Sequence, residues 1–230
     1  MTHIVTGYYG SGKTEFVVNL AMELALRHSG LDAESPIQSP SITIADLDVI
    51  NPFFRSRERE RELAPLGIEI MGSVFENHVA QDIPALSFAF LSRIRAGQNV
   101  IIDLAGGENG LKLLASCYDV IDVYEFLCLF NMYRPETDTP EKMADFCRSV
   151  NNLSHLPITG LVNNGNLLAY TTAEHVLECQ KAVIKAGKML NLPLKYTLVQ
   201  EDIYREIAGE IVSEKILTFA KPQMRKGWQN

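Results

Sequence analysis

The segment THIVTGYYGSGKT, residues 2–14, decides the fold of this chain. A short β-prone run at 2–6 leads into the pattern G-x-x-x-x-G-K-T, and apolar residues at helical spacing follow over 13–28. Glycines let backbone amides wrap around a polyphosphate, and the start of a helix adds partial positive charge. The segment therefore predicts a strand, a phosphate-binding loop and a helix in direct succession. The alternative interpretation is a glycine-rich turn that carries an exposed lysine.

Two side chains of this phosphate loop (residues 7–14) have specific expected roles. Lys13 would neutralise the β- and γ-phosphates of a nucleotide, which makes it a catalytic candidate, and the Thr14 hydroxyl would ligate Mg²⁺. The aromatic pair Tyr8 and Tyr9 either packs against the first helix or stacks on a ligand or partner. The residues expected to line the nucleotide here are Gly7, Tyr8, Tyr9, Gly10, Ser11, Gly12, Lys13, Thr14 and Glu15.

Strand and helix patterns alternate along the rest of the chain. The predicted strands cover 2–6, 41–49, 67–71, 99–105, 124–130, 158–163 and 194–199. The predicted helices cover 13–28, 84–96, a stretch from about 140, 172–190 and 202–217, with Thr139-Pro140 and the Thr171/Glu174 spacing as start signals. About seven strands separated by helices predict an α/β fold, a single three-layer α/β/α domain with a mostly parallel sheet. We expect this domain to span 1–220, followed by a basic tail at 221–230.

Composition excludes several other classes of protein. The 230 residues are 47% apolar and 21% charged, with a net charge of −7, as in an ordinary globular protein and unlike a disordered chain. Neither a transmembrane run nor a secretory signal is expected. The four cysteines are widely spaced, so we interpret them as small core residues in a reducing cytoplasm. The excess of acids argues against non-specific binding to nucleic acid or anionic membranes.

An acid at the end of a neighbouring apolar strand is the second requirement of a magnesium nucleotide site. The run VIIDLAGG at 100–107 places Asp103 at such an end. It also forms the pattern D-x-x-G, in which the Gly106 amide would sense a γ-phosphate. Taken alone, Asp103 fits a strand-end turn equally well, but the phosphate loop favours the metal role.

Three stretches together carry a resemblance to a known group. GYYGSGKT at 7–14, ADLDVINPFFR at 45–55 and IIDLAGG at 101–107 resemble the MinD/ParA and CobQ/CobB P-loop ATPases of the SIMIBI class. The resemblance covers roughly residues 2–200. It is nearest to uncharacterised bacterial ATP-binding proteins that share an NPFFR-type element.

The resemblance implies roles for further residues. Asp46 would lie near Mg²⁺, and Asp48 would position or deprotonate the attacking water, a catalytic role; the alternative is that the acid pair ends a strand. Asn163 or Asn164 would read the purine edge, and because no N-K-x-D pattern occurs, adenine is favoured over guanine. Tyr8 stands where these ATPases carry a signature lysine, so activation across a dimer is doubtful.

Arg55 and Arg57 follow in the segment that corresponds to switch I. Either guanidinium could reach a phosphate or a partner, whereas the simpler interpretation of RSRERERE is a solvated charged helix face.

Three functions remain after this reasoning. The first is a Mg²⁺-dependent ATPase, slow or partner-stimulated, that acts as a nucleotide switch for a protein partner, with ATP and ADP as ligands and a homodimer left open. The second is a CobQ/CobB-like kinase, ligase or amidotransferase acting on a small molecule. The third is a nucleotide-binding module without significant hydrolysis. In all three, Thr14, Asp46 and Asp103 are the expected metal-binding residues.

Overall fold

The computed structural model describes residues 1–29, 42–47, 59–72, 89–104 and 107–222. The strands in these ranges are β1 (Thr2–Gly7), β2 (Ile42–Leu47), β3 (Ile68–Gly72), β4 (Asn99–Leu104), β5 (Tyr124–Phe130), β6 (Gly160–Asn163), β7 (Leu194–Gln200) and β8 (Lys215–Phe219). The α-helices are α1 (Lys13–Ser29), α2 (Glu60–Leu63), α3 (Ala89–Arg95), α4 (Glu108–Ala115), α5 (Pro140–Ser154), α6 (Ala173–Leu190) and α7 (Glu201–Ile207).

The described strands form one parallel sheet in the order β3-β2-β4-β1-β5-β6-β7-β8. This confirms the predicted α/β class, with eight strands in place of about seven. Strand β1 lies between β4 and β5, so the chain first builds one half of the sheet and then the other. Ligands of such sheets bind at the carboxyl ends of the strands where the strand order reverses. The phosphate loop leaves β1 at that place.

Helices cover both faces of the sheet, as continuous apolar strands require. All six residues of β1 and of β2 are buried. On one face, Phe16 of α1 packs in a cluster with Tyr196 and other strand residues, their rings 5.5 Å apart and edge to face. On the other face, Phe126 and Phe130 of β5 pack in a cluster with residues of α5 and α6. The predicted three layers are therefore present.

The starts of the two long helices differ in how well the sequence predicts them. Helix α5 begins as predicted: the Thr139 hydroxyl accepts a hydrogen bond from the Lys142 amide, and Pro140 occupies the first turn. For α6 the predicted Thr171/Glu174 box is wrong, because the capping pair is Thr172 and His175. The Thr171 hydroxyl instead donates to the Leu168 carbonyl in the preceding turn, at 2.8 Å. The turn that precedes the helix therefore binds the first of the two adjacent threonines, and the second becomes the N-cap.

The predicted helix at 202–217 is half wrong. Helix α7 ends at Ile207, and Lys215–Phe219 forms the edge strand β8, parallel to β7. Apolar residues at 203, 207, 211 and 216 resemble a helical period, but the helix ends before Ala208, and 215–219 pairs with β7. The predicted helix at 84–96 corresponds to α3, and its first residues lie outside the described ranges, as does the tail at 223–230.

The four cysteines are all buried and unpaired with one another as disulfides. Burial raises the pKa of the Cys179 thiol to about 12, and burial also raises the pKa of Cys128, although the charge of Lys13 acts in the opposite direction. These thiols therefore stay neutral at physiological pH, as core residues do. None of the helices in the described part of the chain is long and apolar enough to cross a membrane.

Candidate nucleotide-binding site

The phosphate loop has the backbone shape that its glycines predict. Gly10 and Gly12 adopt φ angles of 71° and 94°, a region that side chains strongly disfavour. Gly7 ends β1 so close to β5 that a Cβ atom would lie 2.5 Å from the Leu129 carbonyl oxygen. A hydrogen bond from the Ser11 amide to the Tyr8 carbonyl, at 3.1 Å, closes the turn of the loop. Helix α1 then begins at Lys13. Helix and loop amides consequently meet at the carboxyl end of β1.

Lys13 lies along this loop rather than in solvent. Its side chain is 5% exposed, and Nζ donates to the Tyr8 carbonyl oxygen at 3.4 Å. The same atom is 5.8 Å from the centre of the Tyr9 ring. An ammonium group held at a phosphate-binding loop is placed to neutralise phosphate oxygens.

Three oxygen-bearing side chains belong to elements that begin or end beside the loop. The Thr14 hydroxyl donates to Asp103 Oδ2 at 2.8 Å, which joins the start of α1 to the end of β4. Asp46 of β2 is the register partner of Asp103, and the two residues are 3% and 0% exposed. Two buried carboxyl groups at the carboxyl ends of neighbouring strands offer the hard oxygen ligands that a divalent cation such as Mg²⁺ prefers.

The donor set fits Mg²⁺. Hydroxyl and carboxylate oxygens are the hard ligands that Mg²⁺ prefers, usually together with water and substrate phosphates. Within the described residues, no group of three His, Cys, Asp or Glu side chains is placed to hold a metal ion. A magnesium ion here would therefore take most of its coordination from phosphate and water, with Thr14, Asp46 and Asp103 as the protein groups beside it.

The two loop tyrosines make different contacts. Tyr8 packs edge to face on Phe146 of α5, with ring centres 5.9 Å apart, so it joins the loop to the helical layer. Tyr9 is 40% exposed, and its hydroxyl lies where a Cβ at Gly107 would be only 2.6 Å away. Tyr9 thus touches the segment that follows β4. Packing accounts for Tyr8, whereas Tyr9 remains accessible at the loop.

The two asparagines predicted to bind the base make different contacts. Asn163 is fully buried; its amide donates to the Val176 carbonyl at 3.2 Å and its oxygen accepts from the Gly165 amide at 3.1 Å. Asn164 instead donates to the Ser11 carbonyl at 2.6 Å, and its buried Oδ1 has no hydrogen-bond partner among the described residues. A Cβ at Gly12 would collide with the same amide. Of the pair, Asn164 is therefore the one that lies against the phosphate loop.

Other predicted residues either make contacts within α1 or lie outside the described ranges. The Glu15 carboxylate accepts a hydrogen bond from Asn19 at 3.0 Å within α1. Asp48, Arg55, Arg57 and Gly106 fall in the segments that the structure does not describe.

Arg134 is a site residue that sequence reasoning missed. Its Nε donates to the Gly10 carbonyl oxygen at 3.0 Å, across a separation of 124 residues. The available signal was its position, four residues after the end of an apolar strand, where parallel strands present functional side chains. That position does not single out Arg134 among its neighbours. Its place beside Gly10 follows only from the pairing of β5 with β1.

Comparison with solved structures supports the fold. The chain is similar to the cell division protein FtsY from Thermotoga maritima, with a TM-score of 0.53 and 17% identity over 86% of this chain and 60% of that one. It is also similar to FtsY from Mycoplasma mycoides, with a TM-score of 0.53 and 15% identity over 84% of this chain and 58% of that one. The chain thus spans about three fifths of the length of these proteins. The likeness shows a P-loop NTPase fold.

No family model and no curated protein sequence matches the chain. The narrower resemblance to the MinD/ParA and CobQ/CobB group accordingly stays a prediction.

Proposed function

We propose that this protein is a Mg²⁺-dependent P-loop nucleoside triphosphatase that acts as a nucleotide switch. The observation that carries the proposal is the hydrogen bond from Thr14 to Asp103, next to the glycine-rich phosphate loop. Lys13 lies against the same loop through its hydrogen bond to the Tyr8 carbonyl. Loop amides, an ammonium group, a hydroxyl and two strand-end carboxylates are the groups that bind a magnesium triphosphate. They come from three parts of the sequence and meet at one edge of the sheet.

Each group has a distinct part in the proposed mechanism. The loop amides and Lys13 bind and orient the phosphates, so that the terminal phosphoryl group is held for attack. Thr14, Asp46 and Asp103 would hold the magnesium ion, which supplies positive charge to the β- and γ-phosphates when bound. Asp48, two residues beyond Asp46, would orient the attacking water or accept its proton. Gly106 would contact the γ-phosphate through its amide.

The structure gives fewer contacts for the base of the nucleotide than for its phosphates. Asn163 uses both ends of its amide within the protein, which leaves Asn164 as the group closest to the loop. An amide can recognise either purine, since it both donates and accepts. We keep ATP as the expected nucleotide because the chain lacks N-K-x-D, and GTP as the alternative to be tested beside it.

The switch function is proposed from the contact between Tyr9 and Gly107. This contact joins the phosphate loop to the segment that follows β4, where the D-x-x-G pattern lies. A segment that senses the γ-phosphate can change its order or position when that group leaves, and such changes are what partner proteins recognise. We therefore propose a protein partner that distinguishes the triphosphate from the diphosphate state.

A small-molecule transferase of the CobQ/CobB kind receives less support. It would need an acceptor pocket beside the phosphate loop. A cavity of about 580 Å³ in the described part of the molecule is lined by residues of α6 and by Leu194, the first residue of β7. It therefore opens toward the amino ends of the strands, away from the loop.

The proposal predicts that Lys13→Ala abolishes measurable nucleotide binding. Removal of the ammonium leaves the phosphates without their closest cation, and calorimetric titration with Mg·ATP and Mg·GTP measures the loss. The same titrations in EDTA test the magnesium requirement. Lys112→Ala is the matched control, since Lys112 forms an exposed ion pair with Glu108 within α4. Unchanged affinity in Lys13→Ala would refute the proposed function.

A further inference from the structure

The turn after β5 holds Arg134 in a defined position. Buried Asn131 is its anchor: the Asn131 carbonyl accepts from the Arg134 amide at 3.2 Å and from the Thr137 hydroxyl at 3.1 Å. The Thr137 amide in turn donates to the Arg134 carbonyl at 2.9 Å. Asn131 and Thr137 are 3% and 1% exposed. Arg134 therefore projects from a rigid turn beside the phosphate loop.

The guanidinium lies directly against the loop. Besides the 3.0 Å hydrogen bond to the Gly10 carbonyl, its Cζ would be 3.2 Å from a Cβ at Gly10. Gly10 thus provides room for the guanidinium, in addition to its positive φ. A Cβ at this position would require the guanidinium to shift slightly, in addition to the strain of the positive φ.

Only part of the hydrogen-bonding capacity of Arg134 is used by the protein. A guanidinium has five N–H donors, and the contact with Gly10 uses the one on Nε. Among the described residues, no acidic side chain lies within ion-pair distance of Arg134. An arginine whose terminal nitrogens remain available at a phosphate-binding loop has the charge and the planar geometry to bind phosphate oxygens.

We propose that Arg134 is a catalytic residue that contacts the β- and γ-phosphates of a bound triphosphate and stabilises the charge that develops during hydrolysis. This inference rests on the proposed nucleotide site. In the reaction, water attacks the γ-phosphorus, and the bond to the β–γ bridging oxygen breaks with its electron pair going to the diphosphate. The proton of the water passes to the general base proposed above or to the released phosphate. Arg134 donates hydrogen bonds throughout and keeps its own protons.

An arginine in this place would also account for Tyr8. Tyr8 packs against Phe146 and brings no charge to the loop, so the loop has Lys13 as its own cation. Cations that stabilise the transition state of phosphoryl transfer can come from the same chain or from a partner. The turn after β5 supplies one from the same chain.

The test compares Arg134→Ala, Arg134→Gln and Arg134→Lys with the unaltered protein. Glutamine can still donate to the Gly10 carbonyl but carries no charge, whereas lysine keeps the charge without the planar fork. Affinities for Mg·diphosphate and for a non-hydrolysable Mg·triphosphate are measured by calorimetry, and phosphate release is measured under single-turnover conditions. Arg148→Gln, an exposed arginine paired with Asp145 on α5, is the charge-matched control.

We expect Arg134→Ala and Arg134→Gln to weaken triphosphate binding roughly tenfold, to change diphosphate binding less than about threefold, and to slow phosphate release at least ~100-fold. Arg134→Lys should lie between these variants and the unaltered protein. The inference is overturned if the ratio of the two affinities is unchanged, or if Arg134→Gln behaves normally while Arg134→Ala does not, because Arg134 would then only brace the loop. If Lys13→Ala loses affinity for both nucleotides while Arg134→Ala keeps both affinities, the proposed function stands and only this inference is overturned.

Discussion

The two ends of the parallel strands bring together different ionisable groups. We call the side of the sheet where the strands begin the amino edge and the side where they finish the carboxyl edge. At the amino edge, Glu125 of β5 lies 3.2 Å from His3 Nδ1 and accepts a hydrogen bond from the Tyr196 hydroxyl at 3.2 Å. The Lys215 ammonium in turn donates to the Tyr196 hydroxyl at 3.0 Å. At the carboxyl edge, the register neighbours Asp46 and Asp103 both present carboxyl groups.

This difference separates a structural network from the proposed ligand site. Hydrogen bonds and the nearby charge of Lys215 stabilise the Glu125 carboxylate at the amino edge, so this network adds to folding stability. At the carboxyl edge two carboxyl groups lie on neighbouring strands, and a cation that binds beside them would favour their ionised forms. Stability and binding should therefore respond to different substitutions, which the following experiments test from the largest effect to the smallest.

The largest effect is expected for Asp103→Asn at the carboxyl edge. Asparagine still accepts the hydrogen bond from Thr14 but lacks the charge that favours Mg²⁺, so the magnesium-dependent part of nucleotide affinity should fall roughly 10–100-fold. Calorimetric titrations with Mg²⁺ and with EDTA measure that part. Urea unfolding supplies the control, since the free energy of unfolding should change little. Equal affinity with and without Mg²⁺ in both proteins would contradict a metal role for Asp103.

A smaller effect, on stability rather than on binding, is expected for Glu125→Gln at the amino edge. Loss of the charged hydrogen bonds should lower the free energy of unfolding by about 1–3 kcal/mol, with nucleotide affinity unchanged. Urea denaturation at pH 7 measures the loss, and Glu23→Gln on the exposed face of α1 is the control. A drop in nucleotide affinity as large as that of Asp103→Asn would break the contrast between the two edges.

The same variant has a pH dependence of known sign. Burial alone raises the pKa of Glu125, but hydrogen bonds from His3 and Tyr196 and the charge of Lys215 outweigh it and hold this pKa below its ordinary value. A depressed folded-state pKa stabilises the protein above the unfolded value, about 4.3, and this stabilisation is lost as the pH falls through the folded value. The difference between the unaltered protein and Glu125→Gln should thus be full at pH 7 and shrink below about pH 4. A difference independent of pH would mean that ionisation of Glu125 is not its source.

The smallest effect is expected for Lys195→Met at the rim of the amino edge. Lys195 donates to Glu214 at 2.8 Å, but both side chains are partly exposed, and pairs of this kind contribute at most about 0.5–1 kcal/mol. Methionine keeps an unbranched stem for packing over Gly160, which Lys195 covers. Thermal unfolding beside Lys181→Met, an exposed control on α6, measures the change. A loss as large as that of Glu125→Gln would show that the rim is as important as the buried part of the network.

Local sequence patterns predicted where strands and helices lie more reliably than which elements pair with one another. Strand β5 has the predicted bounds, and the start of α5 follows from Thr139 and Pro140, because a buried run and a helix start are each decided within a few neighbouring residues. The edge strand β8 was missed because its formation depends on pairing with β7 rather than on its own pattern. The N-cap of α6 shifted by one residue because a neighbouring turn binds Thr171.

The sequence by itself determined the parallel α/β architecture and the glycine loop that opens α1, since both follow from short-range spacing and from the backbone freedom of glycine. Only the tertiary structure decided which distant side chains meet that loop. Asp103 is 89 residues from Thr14, Arg134 is 124 from Gly10, and Asn164 is 153 from Ser11, yet each pair shares a hydrogen bond. These contacts arise because strand order places the carboxyl ends of β4, β1, β5 and β6 side by side, and strand order is set by pairing that no local pattern encodes.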